Sequence, residues 1–145
     1  RTNSRIMRIV LDTNVLIAAA LKGGFSEDIL GIMTDTAKLI VSKEILRELA
    51  EKLTIKFHWN YADVKLFIDY IRKISEIVDA KEELFDILRD PDDNKILNCA
   101  VTGKVNMIVT ADQDLIKLKT FRGIAIVHPK TLSWTFPKYF KKSKR

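Results

Sequence analysis

"IMRIVL", residues 6–11, is a short apolar run that stops abruptly at Asp12. A run this short, bounded by a polar residue, reads as a buried strand rather than a helix. Further along, "AKLIVS" (37–42), "VNMIVT" (105–110) and "GIAIVH" (123–128) repeat the same kind of run, and "SEIVDA" (75–80) is a weaker example. Helical patterns separate them. "FSEDILGIMTD" (25–35) reads as a helix capped by Ser26. Ile45, Leu46, Leu49 and Leu53 recur at helical spacing, as do Val64, Phe67, Ile68 and Ile71 after a cap at Asn60, which gives a helical pair joined by "KFHWN" (56–60). Ile96, Leu97, Ala100 and Val101 supply the buried stripe of a further helix. Strands alternating with helices predict an α/β fold, a three-layer α/β/α sandwich with a central parallel sheet.

On that scaffold the acidic residues fall at telling places. Asp12, Glu44 and Asp112 each follow a strand, and in an open parallel sheet the functional crevice lies outside the carboxyl ends of the strands. "RDPDDNKILNCA" (89–100) adds Asp90, Asp92 and Asp93 at the start of a helix. One aspartate there is ordinary capping, and each of the other acids also suits a helix start. Asp92 is the expected cap, Asp90 is expected to shape the loop around Pro91, and Asp93, one turn before Ile96 and Leu97, is expected to face the sheet. Several carboxylates converging on one cleft repel and raise one another's pKa, a cost that a hard dication such as Mg²⁺ removes. Two such ions activate water and stabilise the leaving oxygen of a phosphodiester, so the chemistry indicated is metal-assisted phosphoryl transfer to water. His58 and His128 lack ligand-like spacing and read as surface or packing residues. Trp59 and Trp134 are expected in partly buried structural positions, with stacking on bases as the alternative.

At 145 residues with 47% hydrophobic content, the chain fits a single domain, drawn at 6–137 with a basic tail at 138–145. The longest apolar run, "VLIAAAL" (15–21), is far short of the ~20 residues that span a bilayer, and the N-terminal apolar stretch is interrupted too early for a signal peptide. A cytoplasmic protein without membrane contact is expected. Cys99 is the sole cysteine, which excludes an intrachain disulfide and suits a core position. The net charge of +6 comes from the ends: residues 6–137 hold 18 basic against 19 acidic residues. The tail "KYFKKSKR" is by default a solvated terminus; the alternative is an RNA-phosphate arm made by Lys138, Lys141, Lys142, Lys144 and Arg145.

Four segments together carry a resemblance. "IVLDTNVLIAA" (9–19), "VSKEILREL" (41–49), "DPDDNKILNCA" (90–100) and "IVTADQDLIKL" (108–118) resemble, in order and at natural spacing, the successive motifs of the PIN-domain family, notably its VapC-like toxin ribonucleases. The resemblance implies that Asp12, Glu44, Asp93 and Asp112 are catalytic acids and metal ligands. It also implies that Asn14, Thr110 and Asp114 are supporting polar positions, with Asp114 contacting metal through water; Asp92, the expected cap, is counted as a further supporting polar residue. The implied activity is Mg²⁺- or Mn²⁺-dependent RNA cleavage by metal-activated water, without a covalent protein nucleophile. The implied partners are RNA, a cognate antitoxin and a second copy of the chain, the helical pair at 43–72 flanking the cleft or helping to dimerise. Three other readings stand beside it. A stand-alone RNA-processing nuclease shares the same chemical core. A haloacid-dehalogenase-like phosphohydrolase would use Asp12, but Asn14 replaces its second acid. A receiver-like module with Asp79 as phosphoacceptor beside Thr110 leaves Glu44 and Asp93 unexplained.

Overall fold

The apolar runs pair edge to edge because their N–H and C=O groups, once buried, find partners only on neighbouring strands. A computed structural model of the chain describes residues 6–22, 25–80 and 88–140, the side chains of 25–27 excepted. Its strands are β1 (Met7–Leu11), β2 (Ala37–Ser42), β3 (Ser75–Val78), β4 (Met107–Val109), β5 (Thr120–Phe121) and β6 (Ile124–Val127). They form one sheet in the order β3-β2-β1-β4-β6-β5. From β3 to β6 every pairing is parallel; β5 alone runs antiparallel, against β6. The parallel sheet read from the sequence thus gains an antiparallel edge. Its cause is local: only Arg122 (φ 52°) and Gly123 (φ 81°) link β5 to β6, and a two-residue turn with both φ positive can only return the chain antiparallel.

Helices flank the sheet in a three-layer α/β/α sandwich: α1 (Thr13–Lys22), α2 (Phe25–Asp35), α3 (Lys43–Glu51), α4 (Tyr61–Ile74), α5 (Pro91–Thr102), α6 (Gln113–Ile116) and α7 (Pro129–Thr135). Ile9, Val10, Leu11, Leu39, Ile40, Val41, Ile108 and Val109 are buried, as strands covered on both faces require. Cys99 joins this core, and burial pushes its thiol up to about 12, so it is an inert packing residue.

The helical pair forms as its stripes predict. Ser42 caps α3 by accepting from Ile45 N at 3.1 Å, and α3 runs into a π-helical turn at Lys52–Lys56. His58, with φ of 60°, redirects the chain, and Asn60 then caps α4 by accepting from Asp63 N at 2.8 Å. Three expectations are corrected. The cap of α5 is Asp90, not Asp92: Pro91 occupies the first helical position, so the residue before it is the one free to accept from Asp92 N, at 2.9 Å. Trp134 is 78% exposed rather than partly buried, whereas Trp59 packs edge-on against Phe67 with ring centroids 6.4 Å apart. The domain does not stop at 137, because a 3₁₀ turn at Pro137–Phe140 packs on α2 and buries Phe140 in the core. The cap assigned to Ser26 and the basic residues Lys141, Lys142, Lys144 and Arg145 lie outside the described residues.

Candidate metal centre

The strand order reverses direction of travel between β1 and β4, and it is there, beyond the carboxyl ends of the strands, that the acids gather. Asp12 N donates to Val109 O at 2.9 Å, extending the β1–β4 pairing by one residue and aligning Asp12 with the end of β4. Thr110, fully buried, then joins two acids. Its hydroxyl donates to Asp12 Oδ2 at 2.6 Å and accepts from Asp112 N at 2.9 Å. Asp112 in turn caps α6, its Oδ1 accepting from Asp114 N at 2.9 Å and Leu115 N at 3.2 Å. Asn14 is exposed, and its N–H donates to Asp12 Oδ1 at 3.1 Å. A side-chain hydroxyl and backbone donors therefore hold both strand-end carboxylates in place while leaving other lone pairs open.

Asp93 enters from α5, which packs on β1, β2 and β4. It is buried, and its Oδ2 has no hydrogen-bond partner. Burial first, then the charges of Asp112, Asp90 and Asp12, push its carboxyl up to about 7. One carboxylate oxygen each from Asp93, Asp112 and Asp114 can lie within 4.8 Å of one another. The next residue on α5, Asn94, brackets Leu88 with two bonds, Leu88 N to its Oδ1 at 3.1 Å and its Nδ2 to Leu88 O at 2.8 Å, tying down the chain that enters the helix.

A second group of acids lies beside the first but already has cations. Glu48 is buried and accepts from the Thr13 hydroxyl at 3.3 Å, while Lys52 Nζ lies 3.0 Å from its other oxygen. Lys52 also reaches Asp92 at 4.0 Å, and Lys95 pairs with Asp92 at 3.3 Å. Burial raises the Glu48 pKa against the opposing bond from Lys52, with Asp92 adding to the rise. The two groups differ in what they lack. Glu48 and Asp92 are neutralised by lysines, whereas Asp93 holds a buried orphan oxygen and faces other carboxylates, which is the donor set a hard dication satisfies.

Among the predicted site residues, the structure thus brings together Asp93, Asp112 and Asp114, links Asp12 to them through Thr110, and turns Asp92 toward Lys52 and Lys95. Glu44 stands apart from the three-acid group; its Oε1 is buried without a partner, and its charge acts on Cys99. Glu48 was missed. The signal was an acid on the apolar stripe of α3, flanked by Ile45 and Leu49, where a solvated residue has no place. Lys138 is exposed, with its ammonium 5.2 Å from the centre of the Tyr139 ring, and lies in the 3₁₀ turn rather than in the cleft set out above. Asp79 follows the edge strand β3 and pairs with Lys43 at 3.5 Å, away from the point where a receiver's phosphoacceptor would have to meet Asp12.

Comparison with known proteins agrees with this geometry. A PIN-domain model matches residues 8–114, a span that contains all of the acids just described. An uncharacterized protein of Methanocaldococcus jannaschii is 31% identical over 120 residues, covering 78% of this chain and 76% of that protein. In fold, the chain is similar to a VapBC2 complex of Rickettsia felis bound to a promoter DNA fragment, with a TM-score of 0.63 at 17% identity over 84% of this chain and 98% of the matched one. A DNA-bound VapBC of Salmonella typhimurium gives 0.60 at 16% identity, covering 86% and 99%. The chain belongs to the PIN-domain family.

Proposed function

We propose that this PIN-domain protein is a Mg²⁺- or Mn²⁺-dependent nuclease that hydrolyses RNA phosphodiester bonds in the cytoplasm, acting as the toxin of a toxin–antitoxin pair and assembling as a homodimer. The observation that carries the reading is the acid group itself: Asp93 with its orphan oxygen, in ligand reach of Asp112 and Asp114 and joined through Thr110 to Asp12. These four residues would hold the ion. When bound, it supplies the charge neutralisation and Lewis acidity that phosphodiester hydrolysis needs. The chain's own work is positioning. Thr110 fixes the Asp12 carboxylate, the α6 turn fixes Asp112, and burial keeps Asp93 from being satisfied by solvent. On α3, Glu44, the further carboxylate that the resemblance implies, has an unsatisfied oxygen, and Glu48, hydrogen-bonded toward the Asp12 segment through Thr13, is a second candidate for that place. The antitoxin partner rests on the fold shared with the two VapBC complexes.

The test is cleavage of a broad panel of RNAs by folded protein with Mg²⁺ or Mn²⁺ and with chelator. Cleavage is expected only with metal. Intact RNA across the panel, from protein that calorimetry shows to be metal-loaded, would remove the nuclease assignment. Copurification of a small protein encoded beside this one is the outcome expected of a toxin; activity with no such partner would favour the stand-alone nuclease.

A further inference from the structure

Next to the acid cluster lies a cavity of about 290 Å³ lined by Asp12, Asn14, Val15, Ala18, Ala111, His128, Pro129 and Lys130. Its lining is mostly apolar, with Asp12, Asn14, His128 and Lys130 as its polar members. A space of this size is at the lower bound of small-molecule pockets, enough for one flat ring system rather than a large ligand. His128 is not spare. Its Nδ1 accepts from Lys130 N at 3.1 Å, so in the neutral ring the proton sits on Nε2 and the imidazole is held as a fixed face with one outward donor. One turn beyond Lys130 on the same side of α7 stands Trp134, 78% exposed.

We propose that this cavity is a nucleobase subsite: it takes the base of the nucleotide adjoining the phosphodiester held at Asp12, and the Lys130–Trp134 face of α7 carries the next nucleotide by a phosphate contact and a stacked ring. The inference rests on the nuclease reading and adds to it a place for one unstacked base, since a base enters a pocket only after leaving its stack. The mostly apolar lining offers a base its faces and few polar groups, so the subsite accepts bases by shape and stacking more than by hydrogen-bond pattern.

The experiment measures binding with Ca²⁺ in place of Mg²⁺, by anisotropy of an end-labelled single-stranded oligouridylate, an oligoadenylate and an abasic ribose-phosphate chain of equal length. Base-bearing chains should bind roughly tenfold more tightly than the abasic chain. Ala111→Leu, which extends a side chain from an exposed position into the cavity, should erase that preference while leaving affinity for the abasic chain unchanged. His128→Asn, which keeps a capping side chain but removes the ring, should reduce the preference, and Trp134→Ala should do so in part. Equal affinity for all three chains, with metal-dependent RNA cleavage intact, overturns the base subsite and leaves the nuclease reading standing. Absence of both binding and cleavage overturns the two together. A preference that survives in a normally melting Ala111→Leu protein overturns the cavity as its location.

Discussion

Asp93 is one carboxylate asked to be buried, to face other acids and to leave its Oδ2 without a hydrogen-bond partner. Its pKa, raised to about 7 from an ordinary value near 3.8, means that the folded metal-free protein binds a proton that the unfolded chain has released by pH 5. With more protons bound in the native state, stability falls as pH rises from about 4 to about 7, and below that window the penalty is absent. In chelator, wild-type melting temperature is therefore expected to fall across this range more steeply than that of Asp93→Asn, which has no charge to bury. The same substitution should reduce metal-dependent cleavage by at least about 100-fold, since it removes a ligand oxygen from the donor set. Asp92→Asn should lower cleavage far less, because Asp92 is paired with Lys95 and Lys52. Parallel melting curves for wild type and Asp93→Asn, or near-normal cleavage by that variant, would take Asp93 out of the candidate metal centre.

At the level of elements, what delivers Asp93 is the close seating of α5 on the sheet, and Gly103 at the helix end sets the approach. Its backbone φ of −81° is open to any residue, so the requirement is space: a Cβ there would meet Ile40 Cγ2 on β2 at 2.5 Å and Cys99 O at 3.1 Å. Gly103 O also accepts from Arg8 Nε at 3.0 Å, and Arg8 holds Glu76 on β3 by a bidentate pair, so the loop after α5 is tied to the far end of the sheet. Gly103→Ala is expected to cost about 1–3 kcal/mol through overpacking, seen as a lower melting temperature, with residual cleavage at low temperature because none of the proposed metal ligands is touched. An unchanged melting temperature would show that β2 and α5 separate more freely than their packing indicates.

For the whole molecule, the question is where the fold ends and the charged terminus begins. Phe140 is buried and packs with the 3₁₀ turn against α2, so residues 138–140 belong to the domain and a cut at 137 would unseat the core. Phe140→Ala is expected to lose about 3–5 kcal/mol of stability. Removing only 141–145 should leave melting intact while deleting Lys141, Lys142, Lys144 and Arg145. If those four cations touch RNA phosphates, the slope of log affinity against log salt falls by up to about 3, taking roughly 0.7 per contact on a single strand. An identical slope in the truncated protein would assign the tail to solvent.

Much of this protein was determined by its sequence alone. The short apolar runs and the helical stripes between them specify a layered α/β fold, because period and length decide which face of each element must be buried. Acids placed just after β1 and β4 specify a polar crevice at the sheet's carboxyl edge for the same local reason, and the ordered motifs around them carried the family. Tertiary structure decided the rest, since it depends on which side chains meet across long sequence separations. Asp12 and Thr110, 98 residues apart, share a hydrogen bond only because β1 and β4 are neighbours. The division of the acids into a lysine-paired set and the group around the orphan oxygen of Asp93 required knowing that Lys52 reaches both Glu48 and Asp92, and the cap of α5 required the start of that helix at Pro91. The antiparallel β5 follows from the local turn at Arg122–Gly123, whereas no local pattern marks the buried Phe140 or the cavity beside Asp12, because each of these arises from the way completed elements pack against one another.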